Sequence, residues 1–342
     1  MRIECAVVRP RTLRNKPGDD QACPGLVRVV DQVGGGHALM LTPSWLLELT
    51  RQRHHRVGYV VGVRIAVLGV GGIGSTFAAQ LAGAGHDVTV IARNRRLDQV
   101  SRDGGIRMAD GVVTTTVAGE LPTDVDFDLI LVTVLAHQVT PLLPRLIASR
   151  GRTVMFMFNT FDSLSTLQHA VGDRFAFGFP AIAAQVDADG VLRASIQSRG
   201  VLTTVTDAKW AEVFTAAGIP AVTTSDMESW LRSHAAFAAP FMITVAEAHR
   251  AQRGISWSRA RELAAAKDEA FALVRELGNE IIPAMHAVVG KVPTVLTAGL
   301  LWVASRVPAA RATGAAGEAE PRALIDAMVA AANGDLPALG RV

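Results

Sequence analysis

Lysine is nearly missing from this 342-residue chain: of 34 basic residues only Lys16, Lys209, Lys267 and Lys291 are lysines. Cysteine is scarcer still. Cys5 and Cys23 are the two present, so nothing beyond residue 23 can form a disulfide or a cysteine-ligated metal site, and a reducing compartment is expected. Aromatic content is 5% with the single tyrosine Tyr59, which leaves no stacking platform for nucleic acid. The longest apolar stretches, Ala235–Ala246 and Val292–Val303, are too short or too interrupted by proline to span a bilayer. Met1–Gln21 carries Arg2, Arg9, Arg11, Arg14, Lys16, Asp19 and Asp20 and no apolar core of a secretory signal, so a soluble, cytoplasmic protein is expected.

What is present is material for a core. Apolar residues make up 49% and charged residues 19%, and the length suits two domains or one large domain with attachments. The net charge of +3 is unevenly placed: residues 1–62 hold nine of the 34 basic and five of the 31 acidic residues, leaving 25 against 26 for the remainder. The basic excess therefore belongs to the N-terminal stretch and gives the body no polyanion-binding character.

Residues 1–62 show no sustained periodicity beyond one short helix expected at Pro43–Arg53 and read as an N-terminal extension, disordered or upstream of the true start. At Val63 the texture changes. Strands are predicted at Ile65–Leu68, Val88–Ala92, Leu129–Val134 and Thr153–Phe158, with helices at Ile73–Ala84 and Val139–Ala148 between them and a mixed stretch around Val112–Val117. Such alternation predicts an α/β fold, a Rossmann-type doubly wound parallel sheet. Val191–Ile196 and Val201–Val205, flanking Arg199-Gly200, read as a hairpin, followed by a helix near Ala208–Ala217. From Met227 the text is helical: Trp230–His249, Ser258–Leu277, Ile281–Val289, Thr294–Val303 and Pro321–Ala332. The domains predicted are thus 63–226, a dinucleotide-binding sheet domain, and 227–342, an all-helical substrate or dimerisation domain. Apolar stripes such as Ala264, Phe271 and Val274, and Val295, Leu296, Leu300 and Trp302, are expected in the core or at a subunit interface, which leaves a homodimer open. The pair Glu247 and His249 lacks helical metal-ligand spacing, and no metal site is expected.

Gly69-Val70-Gly71-Gly72-Ile73-Gly74 fits G-x-G-x-x-G directly after a predicted strand and opening a helix. Gly69 permits the tight turn, Gly71 lets a pyrophosphate approach the backbone and Gly74 lets the helix pack against the strand, while helix N-terminal N–H groups face the anion. At the end of the second strand, where a carboxylate would recognise a ribose 2′-hydroxyl, stand Ala92 and Arg93, with Arg95 and Arg96 behind. A guanidinium there suits a 2′-phosphate, so the expected cofactor is NADP(H).

These residues, together with Gly85-His86-Asp87-Val88, Leu131-Val132-Thr133-Val134-Leu135-Ala136-His137-Gln138-Val139 and Phe158-Asn159-Thr160, resemble the ketopantoate reductase (2-dehydropantoate 2-reductase) family over about 63–342. The resemblance implies a nucleotide-binding domain joined to a helical domain, with substrate held between them. It implies that Asn159 lies between nicotinamide and substrate and that the backbone of Ala184 contacts the cofactor. It also exposes departures. Leu135 and Arg232 stand where the family carries lysines, the second of them essential, and Ala236 replaces an asparagine. The family's later serine and glutamate pattern has no clear counterpart, although Glu318 and Glu320 lie in the corresponding region.

Arginine can polarise a carbonyl or clamp a carboxylate but is a poor proton donor. The catalytic set implied is therefore Arg232 to anchor substrate, Asn159 to orient it, and His137 or His234 to supply the proton, because histidine titrates in a useful range. Each histidine has the plainer alternative of a packed or surface side chain. The function expected is reduction of a small 2-oxo acid or related carbonyl compound with NADPH. The alternative is an NADP-binding sensor or interaction protein that has kept the fold and lost catalysis.

Overall fold

The computed structural model describes residues 62–342; the short helix expected at Pro43–Arg53 and the rest of the N-terminal extension lie outside the described residues. The first strand, β1 (Arg64–Leu68), is fully buried after Arg64, as its unbroken apolar run requires of a strand covered on both faces. It leads through the glycine loop into α1 (Gly72–Gly83), β2 (Asp87–Ile91) and α2 (Asn94–Asp103). A hairpin of β3 (Gly105–Met108) and β4 (Gly111–Thr114) precedes β5 (Thr116–Ala118), β6 (Asp126–Val132), α3 (Leu143–Ala148) and β7 (Arg150–Met157). Then come α4 (Ser165–Val171), β8 (Phe175–Phe179), a second hairpin of β9 (Ile182–Val186) and β10 (Leu192–Ile196), β11 (Thr203–Val205), α5 (Ala208–Ala216) and β12 (Ala221–Thr223).

Eight strands make one sheet in the order β12-β11-β8-β7-β6-β1-β2-β5, parallel except where β11 runs against β8. The chain leaves β1 toward β2 and returns to its other side at β6, so the strand order reverses between β1 and β6, the place where open α/β sheets bind ligands. Registers align the carboxyl ends there, with Leu68 beside both Ile91 and Val132 and Val132 beside Phe156. Phe77, Trp210 and Phe214 pack on one face of the sheet, and Leu146, Phe156 and Trp230 belong to the core on the other.

The remainder is helical: α6 (Met227–Ala251), α7 (Trp257–Glu276), α8 (Ala284–Gly290), α9 (Thr294–Ala304), α10 (Pro308–Thr313) and α11 (Ala319–Ala331). Asp226 starts α6 by accepting from Ser229 N–H, and Ser256 starts α7 by accepting from Arg259 N–H. Alanines let the helices approach closely, with Ala235, Ala239, Ala260 and Ala264 wholly buried in one cluster. The buried Lys267 ammonium donates to the Val289 and Val292 carbonyls and to Thr297, tying α7 to the bend between α8 and α9. No single described helix is long and apolar enough to cross a membrane.

Two expectations need correction. The partner of Leu192–Ile196 is Ile182–Val186, not the 201–205 strand, because Asp187 closes the turn by accepting from the N–H groups of Asp189 and Val191, while Thr203–Val205 joins the main sheet. The helix expected over Val139–Ala148 shrinks to α3, since Pro141 and Pro144 fit only near a helix start, and the chain before Leu143 takes tight turns instead. Of the apolar stripes, Ala264, Phe271 and Val274 are core, while Val295, Leu296 and Leu300 are 60–65% exposed, in keeping with the other place expected for them, a subunit interface.

Candidate active site

The glycine loop is shaped by contacts that leave no room for side chains. Gly69 sits at φ +96° against Val134, and a Cβ on Gly74 would strike the Gly69 carbonyl and the Thr133 hydroxyl. Thr133, at the end of β6, holds the loop by donating to the Gly69 carbonyl at 2.8 Å. A Cβ on Gly72 would strike the Ala184 carbonyl, so β9 lies directly against the start of α1 and brings Ala184 to the loop. Gly71 faces open space, and Gly71 caps α1 with no side-chain hydrogen bond and no acidic residue in the first turn. The first-turn N–H groups beside Val70 and Ile73 therefore suit an anion, and the loop fits a dinucleotide pyrophosphate.

The three arginines after β2 have different partners. Arg96 reaches under the loop, donating through Nε to the Val70 carbonyl at 2.9 Å, through Nη2 to Ser75 at 3.0 Å and through Nη1 to the Gly190 carbonyl at 3.2 Å. Arg95 donates to the Ala188 carbonyl in the same hairpin turn. Arg93 is exposed at the end of β2 and forms no ion pair with any described residue. The clamp formed by Arg96 was missed in the sequence, where it looked like part of a basic surface run.

Beside the loop lies a cleft of about 600 Å³. The sheet side contributes Ile73, Thr133 to His137 and Met157 to Asp162, and the helical side contributes His234 and Met242 from α6 and Ala319, Glu320, Ala323, Leu324 and Ala327 from α11. Asn159 follows β7, and its Oδ1 is buried with no hydrogen-bond partner among the described residues. Burial raises the Glu320 carboxyl above its ordinary range, and hydrogen bonding to the Asn159 side chain pulls it partly back. Glu320 and Asn159 thus line one cleft although 161 residues separate them in the chain, a closeness that spacing alone does not reveal.

His234 also lines the cleft, stacked on Trp230 with ring centroids 5.2 Å apart and close to Phe179 at 4.2 Å. Burial, with the neighbouring His286 adding to it, pushes its imidazole down to about 3, and its Nδ1 is buried without a partner. This corrects the expectation of a histidine poised to give up a proton: His234 is neutral near pH 7. His137 is exposed at the rim.

Arg232 is not among the residues lining the cleft. Its guanidinium is taken up behind the wall by the Phe161 carbonyl at 3.2 Å, Asn279 at 2.6 Å and Glu228 at 2.9 Å. Asn279, from the turn after α7, in turn donates to Ser229. Among the described residues no lysine lines the cleft; Lys209 and Lys291 are exposed elsewhere and Lys267 is engaged between helices.

A parallel sheet with a glycine loop at its reversal point, closed by a helical layer over one cleft, defines a Rossmann-type fold. Residues 65–204 match the family model described as ketopantoate reductase PanE/ApbA. Among solved structures it is similar to the PanE/ApbA family ketopantoate reductase from Ralstonia eutropha JMP134, with a TM-score of 0.64 at 18% identity, covering 81% of this chain and 95% of that one. The 2-dehydropantoate 2-reductase from Geobacter metallireducens GS-15 gives 0.63 at 15% identity, covering 82% and 97%. D-mandelate dehydrogenase, in a ternary structure with NADH and anilino(oxo)acetate, gives 0.54 at 15% identity, covering 78% and 97%. The sheet followed by helices is the arrangement these structures share.

Proposed function

We propose that the protein reduces the carbonyl group of a small 2-oxo acid or related carbonyl compound, using NADPH. The observation that carries this reading is the meeting of Asn159 and Glu320 in a cleft that opens beside the glycine loop. The pyrophosphate would rest on the N–H groups from Val70 to Gly74 and the adenosine 2′-phosphate on Arg93. Bound there, the reduced nicotinamide supplies a hydride to the carbonyl carbon.

The remaining need is a proton for the carbonyl oxygen as its double bond opens. Glu320 meets it: a carboxyl held above its ordinary range keeps its proton nearer neutrality, gives it to the oxygen and regains one from water. The Asn159 side-chain NH₂ orients the carbonyl oxygen. Arg232 acts at one remove, fixing the Phe161 backbone and so the loop that carries Asn159. NADPH oxidation followed across a panel of carbonyl compounds tests the reading. Glu320→Gln is expected to lower kcat by about 10²-fold or more with NADPH affinity unchanged. Full activity in that variant overturns the role given to Glu320.

A further inference from the structure

The charges around the cleft point to a substrate class within this reductase reading, on which the inference rests. We propose that the cleft takes an uncharged carbonyl compound with an apolar body, an aryl or branched-alkyl ketone, keto ester or keto amide, and discriminates against the free 2-oxo acid anion. Among the described residues that line it there is no arginine or lysine, while Asp162 brings a carboxyl group of its own. A substrate carboxylate placed there would lose its hydration without gaining a cation, a cost that a buried ion avoids only when paired.

The Asn159 NH₂ is given to the carbonyl oxygen, and two of the lining hydroxyls are already engaged. The Thr133 hydroxyl gives its proton to the Gly69 carbonyl, and Thr160 hydrogen-bonds with Asp162. Of the cations nearest in sequence to the helical wall, Arg322 beside Ala323 is paired with Glu318, and Arg232 is paired with Glu228 and donates to the Phe161 carbonyl. The helix start that opens on the cleft, at α11, would itself attract an anion, yet its first turn carries Glu320 and it is preceded by Glu318, which is paired with Arg250 and Arg322. What the cleft offers in quantity is apolar surface: Met157, Phe158, Phe161, Phe179, Met242 and Leu324. Such a lining favours a carbonyl carrying a ring or branched chain, oriented by a few polar groups.

The test uses a pair of ligands that differ in charge and little in shape. Phenylglyoxylate and its methyl ester are titrated calorimetrically into the full-length protein saturated with NADPH at neutral pH, and NADPH oxidation is followed with each. The ester is expected to bind about tenfold or more tightly than the acid, and Ala323→Arg, which places a cation in the wall, is expected to reverse that order. Equal or tighter binding of the acid by the unaltered protein overturns the inference, as does failure of both ligands to bind. Ester preference without NADPH oxidation upholds the charge assignment and overturns the reductase reading; acid preference with oxidation does the opposite.

Discussion

The two walls of the cleft are held in different ways. On the sheet side, backbone meets backbone: Gly72 lies against the Ala184 carbonyl, Gly74 against the Gly69 carbonyl, and Arg96 satisfies the carbonyls of Val70 and Gly190. On the helical side, side chains carry the load, with Arg232 joining Phe161, Asn279 and Glu228, and His234 filling an aromatic cluster with Trp230 and Phe179. A wall of backbone contacts is intolerant of any added atom. A wall of side chains can exchange its chemistry while keeping its shape.

The sharpest way to break the comparison is to add bulk to the backbone wall. Gly72→Val drives a branched side chain into the Ala184 carbonyl and is expected to cost about 4 kcal/mol or more and to abolish NADPH binding, as read by urea denaturation and fluorescence titration. On the other wall the expected sensitivity is to pH. Unfolded, the His234 imidazole takes a proton below its ordinary value of 6.5, whereas folded it does so only near 3, so stability is full above 6.5 and falls with pH through that window. The slope contributed is about 1.4 kcal/mol per pH unit, and His234→Phe, which suits the aromatic surroundings, is expected to flatten it in acid unfolding curves.

A smaller effect is expected at Arg232. Arg232→Met should cost about 2 kcal/mol in urea denaturation by leaving the Phe161 carbonyl and Asn279 unsatisfied, and should lower kcat through a displaced Asn159 while leaving NADPH affinity alone. Smallest is Arg93→Ala on the exposed end of β2. It should reduce the preference for NADPH over NADH by about tenfold, one charge-assisted contact's worth, with stability unchanged; unaltered selectivity would show that another group reads the 2′-phosphate.

The same division explains what could be read from the sequence. Helix α1, strands β1, β2, β6 and β7 and the long helices α6 and α7 announce themselves through apolar runs, capping residues and glycines, all of them local signals. The Asp187–Gly190 turn carried such a signal too, and the hairpin was misplaced because the Arg199-Gly200 pair competed with it. The catalytic-side assignments had no local signal to use. Arg232 had the right position in the chain, but Asn279, 47 residues later, draws its guanidinium away from the cleft, and Glu320 enters it from α11 instead. His234 could be proposed as a neighbour of the site, whereas its neutrality depends on His286 and on enclosure, which are properties of packing.

The arrest of Lys267 between α7 and the α8–α9 bend makes this molecule a reporter of its own breathing. Among the described residues an amine-reactive reagent finds Lys209 and Lys291 at the surface at once, but the third amine is 2% exposed and becomes available only when the helices part. The lag in its acylation, read by mass spectrometry, measures how often the helical layer opens, with the two surface lysines as internal clocks.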